Sequence, residues 1–166
     1  MHNAKSKNKG FTLVELIVVL VILAILAAIL VPALLGYIDK AKAKQVVLNA
    51  RSCYTAAQAE FSEMYAGNVV YGTDDGLGNN FDMTGDDMAV DIMNTADVPN
   101  CTVLTVGCDS RMKSGDHSGY TITFVYYQEG DKAVYFNGKS WIDTDSYPTS
   151  FAAGKYVYHL YMDLDI

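Results

Sequence analysis

Asp116, His117 and Ser118 are consecutive residues of the three types that make a nucleophilic relay. A relay needs the hydroxyl on one imidazole nitrogen and the carboxylate on the other, a geometry closed to sequence neighbours, and no G-x-S-x-G surrounds Ser118. Flanked by Gly115 and Gly119, the trio reads as a polar turn. His2, His117 and His159 are scattered, with neither H-E-x-x-H nor paired C-x-x-C, so zinc lacks support. No G-x-x-x-x-G-K-[ST] loop is present to cradle nucleotide phosphates. Asp74, Asp75, Asn79, Asn80, Asp82, Asp86 and Asp87 offer the oxygens calcium takes, but off the EF-hand spacing, and read as a solvated acidic loop. No cofactor, metal site or catalytic residue is expected.

Glu15 is different, because it immediately precedes Leu16 to Leu35, a run of 20 residues without a charge. As a helix that run spans about 30 Å, the thickness of bilayer hydrocarbon. An ionised carboxylate within hydrocarbon costs roughly 2.5 to 3.5 kcal/mol on insertion scales, so Glu15 requires a partner, a neutral state or a place at the headgroups. Ahead of it, residues 1–10 carry Lys5, Lys7 and Lys9 and no acid, which favours that end inside, although Lys40, Lys42 and Lys44 follow the run. The run exceeds the roughly 7 to 15 residues of a secretory signal core and lacks an A-x-A-like exit. The chain therefore reads as a single-pass membrane protein.

The string Lys9-Gly10-Phe11-Thr12-Leu13-Val14-Glu15-Leu16, with its basic leader and long apolar run, resembles the class III signal and N-terminal helix of type IV pilins and pseudopilins. That resemblance covers about the first 45 residues. It implies cleavage after Gly10 by a membrane-embedded prepilin peptidase and N-methylation of Phe11. Thr12 and Glu15 then fall at the assembly end of the new chain, Glu15 as its fifth residue. Pro32, with Gly36 after it, falls where many such helices are broken. The implied partners are further copies of the chain, an assembly ATPase and a polytopic platform protein. The implied route runs from the bacterial cytoplasmic membrane, N-terminus inside, to an extracellular filament used for adhesion, twitching motility or DNA uptake. A type II secretion pseudopilin, for which a calcium-binding acidic loop would speak, and a competence pilin are the alternatives within the family. A membrane-anchored extracytoplasmic enzyme is the remote alternative.

The chemistry fits that resemblance. Losing Lys5, Lys7 and Lys9 takes the formal side-chain charge from -7 to -10 and creates an amine at Phe11 close to Glu15. Pairing of the two, within one helix or between neighbours, lowers the desolvation cost of both.

The elements that position these groups follow from periodicity. The chain's 166 residues suit one modest domain, and a net charge of -7 makes nucleic acid a poor default partner. Val47, Ala50, Tyr54, Ala57, Phe61 and Met64 recur at helical spacing, predicting an amphipathic helix continuous with the membrane run, with a kink or local unwinding at Pro32. Residues 86–97 predict a short helix with Asp86 as N-cap and Met88, Ile92 and Met93 inward. Five β-branched and aromatic runs, 102–106, 120–128, 132–136, 139–143 and 155–162, predict an antiparallel sheet of about four strands. Glu129-Gly130-Asp131 and Asn137-Gly138 mark hairpins, the second of type I′. Tyr120, Ile122 and Phe124 are expected on the face that covers the helix. The fold class is thus α+β: leader 1–10, membrane and filament-core helix 11–36, amphipathic helix 37–65 and globular head 66–166.

Cys53, Cys101 and Cys108 fall in the part that would lie outside, where a bridge is permitted. Cys101 with Cys108 is favoured for its short loop, and either pairing with Cys53 would staple helix to sheet. In well-known Gram-negative pilins two cysteines enclose a loop near the C-terminus; here 58 residues follow Cys108, a departure that leans toward pilins of other bacterial groups. Lys40, Lys42, Lys44 and Arg51 suit lipid headgroups or acidic neighbours in a filament.

The mature chain is expected to begin at Phe11 and to carry one methyl group on its amine. Intact-mass spectrometry of the membrane form reads this directly, and a sole species retaining Lys9-Gly10 contradicts it.

Overall fold

The structure, a computed structural model, describes residues 10–70, 80–82, 87–152 and 155–162. Contacts divide the chain into two units, Met1–Lys42 and Ala43–Ile166. Helix α1 spans Leu13–Gly67 and continues through Pro32 and Gly36, so the local unwinding expected there is absent. Proline removes one backbone hydrogen bond, and the good helix formers Ala33, Leu34 and Leu35 carry the helix past it. At the other end Asn68 takes φ 54° and Val69 N–H donates to Met64 O at 2.9 Å, a left-handed cap that turns the chain back.

Within Ala43–Ile166, α1 presents a buried stripe of Val46, Ala50, Cys53, Ala57, Phe61 and Met64, with Ala56 beside it. The stripe lies slightly round from the expected one: Val46 and Cys53 are buried where Val47 and Tyr54 were expected, and those two are half-buried at its edge. The small residues Ala50, Cys53, Ala56 and Ala57 occupy the buried face, while Tyr54 stacks at the rim on Phe136 with centroids 5.4 Å apart. A tyrosine there keeps its polar end near water.

The α+β class holds. The sheet contains β1 (Asn80–Asp82), β2 (Val103–Cys108), β3 (Ile122–Glu129), β4 (Lys132–Phe136), β5 (Trp141–Thr144) and β6 (Tyr156–Met162). Their spatial order is β1-β6-β2-β3-β4-β5. Five strands are antiparallel, and the short β1 adds to β6 in parallel. β1 lies in the turn-rich stretch, where three residues give too little alternation to read as a strand. Helix α2 (Asp87–Ala96) buries Met88 and Ile92 and half-buries Met93, as its spacing predicts; its expected cap, Asp86, lies outside the described residues.

Two register details depart from the sequence pattern. Gly107 pairs with Phe124 but Cys108 pairs with Ile122, so a bulge absorbs Thr123. An extra residue reverses the alternation beyond it. Tyr120, Ile122, Val125 and Tyr127 therefore join the core against α1. Phe124 instead faces the opposite side with Tyr126 and Ala133, where Tyr147 covers it. The β3–β4 hairpin is a two-residue turn through Gly130 at φ 59°. The β4–β5 connection is not the expected type I′ turn. Phe136 pairs with Trp141 across a four-residue loop, and Asn137 Oδ1 accepts from Lys139 N–H at 3.0 Å and Ser140 N–H at 2.9 Å. The Asn side chain imitates a backbone turn and leaves only Gly138 at positive φ.

Polar contacts fix α1 on the sheet. Gln58 Nε2 donates to Tyr120 O at 2.9 Å, and its Oε1 accepts from Ile122 N–H at 2.9 Å. One amide thus satisfies both backbone groups at the start of β3, and Tyr120 Oη donates to Val69 O at 2.8 Å. Gln58→Ala is expected to lower stability by about 1 to 3 kcal/mol through these orphaned groups. Chemical denaturation followed by circular dichroism checks it; an unchanged midpoint refutes the role.

Candidate assembly site

The N-terminal groups come together without help from the rest of the chain. Gly10, Phe11 and Thr12 are exposed and non-helical, so the Gly10–Phe11 bond is accessible just ahead of α1. Thr12 is the N-cap and Glu15 the third helical residue. Thr12 N–H donates to Glu15 Oε2 at 2.9 Å, Thr12 Oγ1–H donates to the same oxygen at 2.7 Å, and Glu15 N–H donates to Thr12 Oγ1 at 3.3 Å. This is a reciprocal capping box: two of the donors that every helix start leaves unsatisfied are covered, and the carboxylate sits at the positive end of the helix dipole. The demand for a partner that Glu15 makes is met first within its own turn. The T-x-x-E spacing of Thr12 and Glu15 ahead of an apolar run carries this signal in the sequence, beside the counter-charge, neutral state or headgroup position expected for Glu15.

Every residue from Gly10 to Lys42 is exposed in the single chain. Phe11 is 85% exposed, and the leucines, valines and isoleucines from Leu13 to Leu35 are about half exposed or more. Among the described residues α1 is the one helix long and apolar enough to cross a membrane, with a mean hydropathy of 3.3 over its best window. Such a surface is not stable in water and needs lipid or another apolar helix around it.

Residues 5–31 match the family model described as the prokaryotic N-terminal methylation motif. That motif is the N-terminal signal shared by type IV pilin-like proteins. That signature covers Gly10, Phe11, Thr12 and Glu15, implies processing by prepilin peptidase, and with the apolar helix fits a membrane-anchored precursor. No match was found among curated proteins or among solved structures.

The remaining chemistry singled out in the sequence is dispersed. Ser118 Oγ hydrogen-bonds to Asp116 Oδ1 and Ser110 Oγ donates to Asp116 Oδ2 at 2.8 Å; hydrogen bonds from Ser118 and then Ser110 hold the Asp116 carboxyl below its usual range. His117 faces away from both, its Nδ1 3.0 Å from Thr121 Oγ1 and its ring edge-on to Tyr65. The three residues build a 3₁₀ turn (His117–Tyr120) with Asp116 as its cap. His159, on β6, meets Thr105 across the strand pair at 3.1 Å, and His2 lies outside the described residues. Asp74, Asp75, Asn79 and Asp86 also lie outside them, and nothing is described of the side chains of Asn80 and Asp82.

The expected Cys101–Cys108 bridge is overturned. Both are buried free thiols, but they flank opposite ends of β2. At about 3.3 Å per strand residue the Cα atoms are far beyond the roughly 7 Å a disulfide tolerates. The short loop seemed easy to close because spacing alone does not reveal that its residues are extended.

Thr12→Val, which removes the hydroxyl from both ends of the box, is expected to fray the first turn of α1 at a cost of about 1 kcal/mol, while Thr12→Ser preserves it. Amide hydrogen exchange at residues 13–15 in detergent micelles reads the difference. Equal protection in both variants contradicts the capping role.

Proposed function

We propose that this chain is the structural subunit of a type IV pilus, its N-terminal helix moving from bilayer to filament core while the sheet-bearing part forms the filament's outer surface. The observation that carries this reading is the exposed apolar start of α1, most of which lies within the methylation motif of residues 5–31. One surface has to be covered in two settings: lipid acyl chains cover it in the precursor, and the helices of neighbouring copies cover it in the filament. Cleavage after Gly10 supplies the asymmetry between the settings. It removes the basic leader and frees the amine of Phe11, which a separate methyl transfer then modifies, one residue before the Thr12–Glu15 box.

In this proposal the box explains how the acid survives insertion and still directs assembly. Both hydrogen bonds from Thr12 converge on Oε2. A cationic amine from an adjoining subunit can then approach the carboxylate without dismantling the cap. The pair forms where water is excluded and charge-assisted hydrogen bonds are strongest. The assembly ATPase and platform protein supply the work of extraction, and adhesion, twitching motility or DNA uptake are uses of the finished filament. The basic residues Lys40, Lys42 and Lys44 lie just past the apolar run, where they meet headgroups before assembly and acidic neighbours after it.

Glu15→Val separates insertion from assembly. Removing the charge makes the apolar segment easier to insert, so membrane levels are expected to stay normal. Assembly is expected to fail, because a buried amine left without its counter-charge costs about 3 to 5 kcal/mol at every subunit. Shear fractionation and electron microscopy of cells bearing wild type or the variant read the two outcomes. Wild-type filament yield from Glu15→Val overturns the pairing, and absence of filaments from wild-type cells overturns the pilus reading.

A further inference from the structure

The three cysteines are not equivalent in the fold. Cys53 is fully buried on the sheet-facing stripe of α1, and Cys101, 4% exposed, lies just before β2. Both belong to one buried cluster, and a hydrogen bond with Cys53 is the first influence on the Cys101 thiol. Polar contacts around them bring the same two backbone segments together independently. Asn49, one helical turn before Cys53, donates from Nδ2 to Glu129 Oε2 at 2.8 Å. The Tyr127 hydroxyl donates to that same oxygen at 3.0 Å. On the other side Thr102, next to Cys101, donates to Gln128 O from its N–H at 2.8 Å and from its hydroxyl at 3.0 Å. The helix and the entry to β2 are thus both fastened to residues 127–129 of β3, and Cys53 and Cys101 lie in the same buried cluster. Cys108 is held apart at the other end of β2, paired in register with Ile122 and Tyr156.

We propose that Cys53 and Cys101 are an intramolecular disulfide site, oxidised as the chain folds in an oxidising compartment, and that the bridge staples α1 covalently to the sheet. The oxidant is an external disulfide, that of a thiol oxidoreductase in the cell or of oxidised glutathione in vitro. The Cys53 thiolate attacks one external sulfur, forming a mixed disulfide and expelling the other as a thiolate. The Cys101 thiolate then attacks Cys53 Sγ, closing the bridge and expelling the second external thiolate. The two external thiolates take up the protons the two cysteines lost, so the external disulfide is reduced by two electrons and the protein oxidised by two.

Burial sets the timing. The hydrogen bond with Cys53, and then burial, push the Cys101 thiol far above the ordinary thiol range. Since the thiolate is the reactive species, exchange is slow once the core has closed, and the bridge forms before or during folding. The same burial then shields it from reductants. Burial first, and then Asp109, push Cys108 up to about 12, which keeps the third thiol from exchanging into the bridge. The bridge closes a loop of 47 intervening residues, long enough for the lost freedom of the unfolded chain to matter.

The full-length chain in detergent micelles is the material for the test. It is unfolded under reducing conditions, refolded in an oxidised and reduced glutathione buffer, quenched with acid, alkylated and mapped without reduction. The expected product is a peptide pair joining Cys53 to Cys101, with Cys108 alkylated only after denaturation. Reduction is expected to lower the melting temperature by on the order of 10 °C. Cys108→Ala should keep both results, and Cys53→Ala should lose them and leave Cys101 alkylated. Three free thiols under an excess of oxidised glutathione, or any bridge containing Cys108, overturns the proposal. The wild-type map decides even if a variant fails to fold. The in-vitro result is independent of filament formation, so it stands or falls separately from the pilus reading.

Discussion

An apolar helix surface cannot stay in water, and the chain has one from Phe11 to about Ile38, exposed along its whole length among the described residues. Other features of the N-terminal part are consequences of that constraint. The helix must be started cleanly at the edge of hydrocarbon, where unsatisfied N–H groups are expensive, and the Thr12–Glu15 box does so with side chains from the first turn. A carboxylate that looks out of place in an apolar segment thereby has a local function before any partner arrives. In the proposed filament the same acid has a second function, and the geometry of the box leaves room for both.

The second unit, Ala43–Ile166, solves a more familiar problem. The buried face of α1 is built from Val46, alanines and Cys53, with Phe61 and Met64 toward its end, and the large side chains of Tyr120, Tyr127 and Tyr158 fill the core with it. The polar groups at the contact are matched individually. Gln58 closes the start of β3, and Asn49 and the Tyr127 hydroxyl converge on Glu129. At the sheet's outer side Lys155 pairs with Asp109, whose carboxyl is held below its usual range first by that hydrogen bond, with Thr123 contributing. The Asp109 carboxylate is partly exposed, so solvent screening makes this pair a minor contributor.

What could be read in advance divides along physical lines. The two periodicities identify α1, α2 and the runs that form the five antiparallel strands, where about four were expected, because a half-buried element has to repeat its apolar residues at its own pitch. The strand limits 132–136 come out unchanged, since a turn bounds each end. The stripe on α1 is read one position off at Val47 and Tyr54 because residues adjacent in sequence lie only about 100° apart around a helix, and at the second position the smaller Cys53 takes the buried face while Tyr54 stays at the rim. Phe124 is assigned to the wrong face because alternation assumes an unbroken pleat, and the bulge at Thr123 breaks it. Asn137-Gly138 satisfies the composition of a tight turn, yet strand pairing elsewhere in the sheet fixes the connection at four residues.

The sequence by itself determined the processing signal, the membrane segment and the capping box, because each depends on residues within a few positions of one another and on a solvent boundary that any apolar run must respect. The tertiary structure decided which cysteines meet, which side chains close the backbone at the start of β3, and which face Phe124 takes. Those depend on strand register and on the angle at which α1 meets the sheet. Contacts between residues separated by 48 to 80 positions, such as Cys53 with Cys101 or Asn49 with Glu129, exist only after that register is set. No local pattern encodes them, because a one-residue slip would leave every propensity intact and replace every partner.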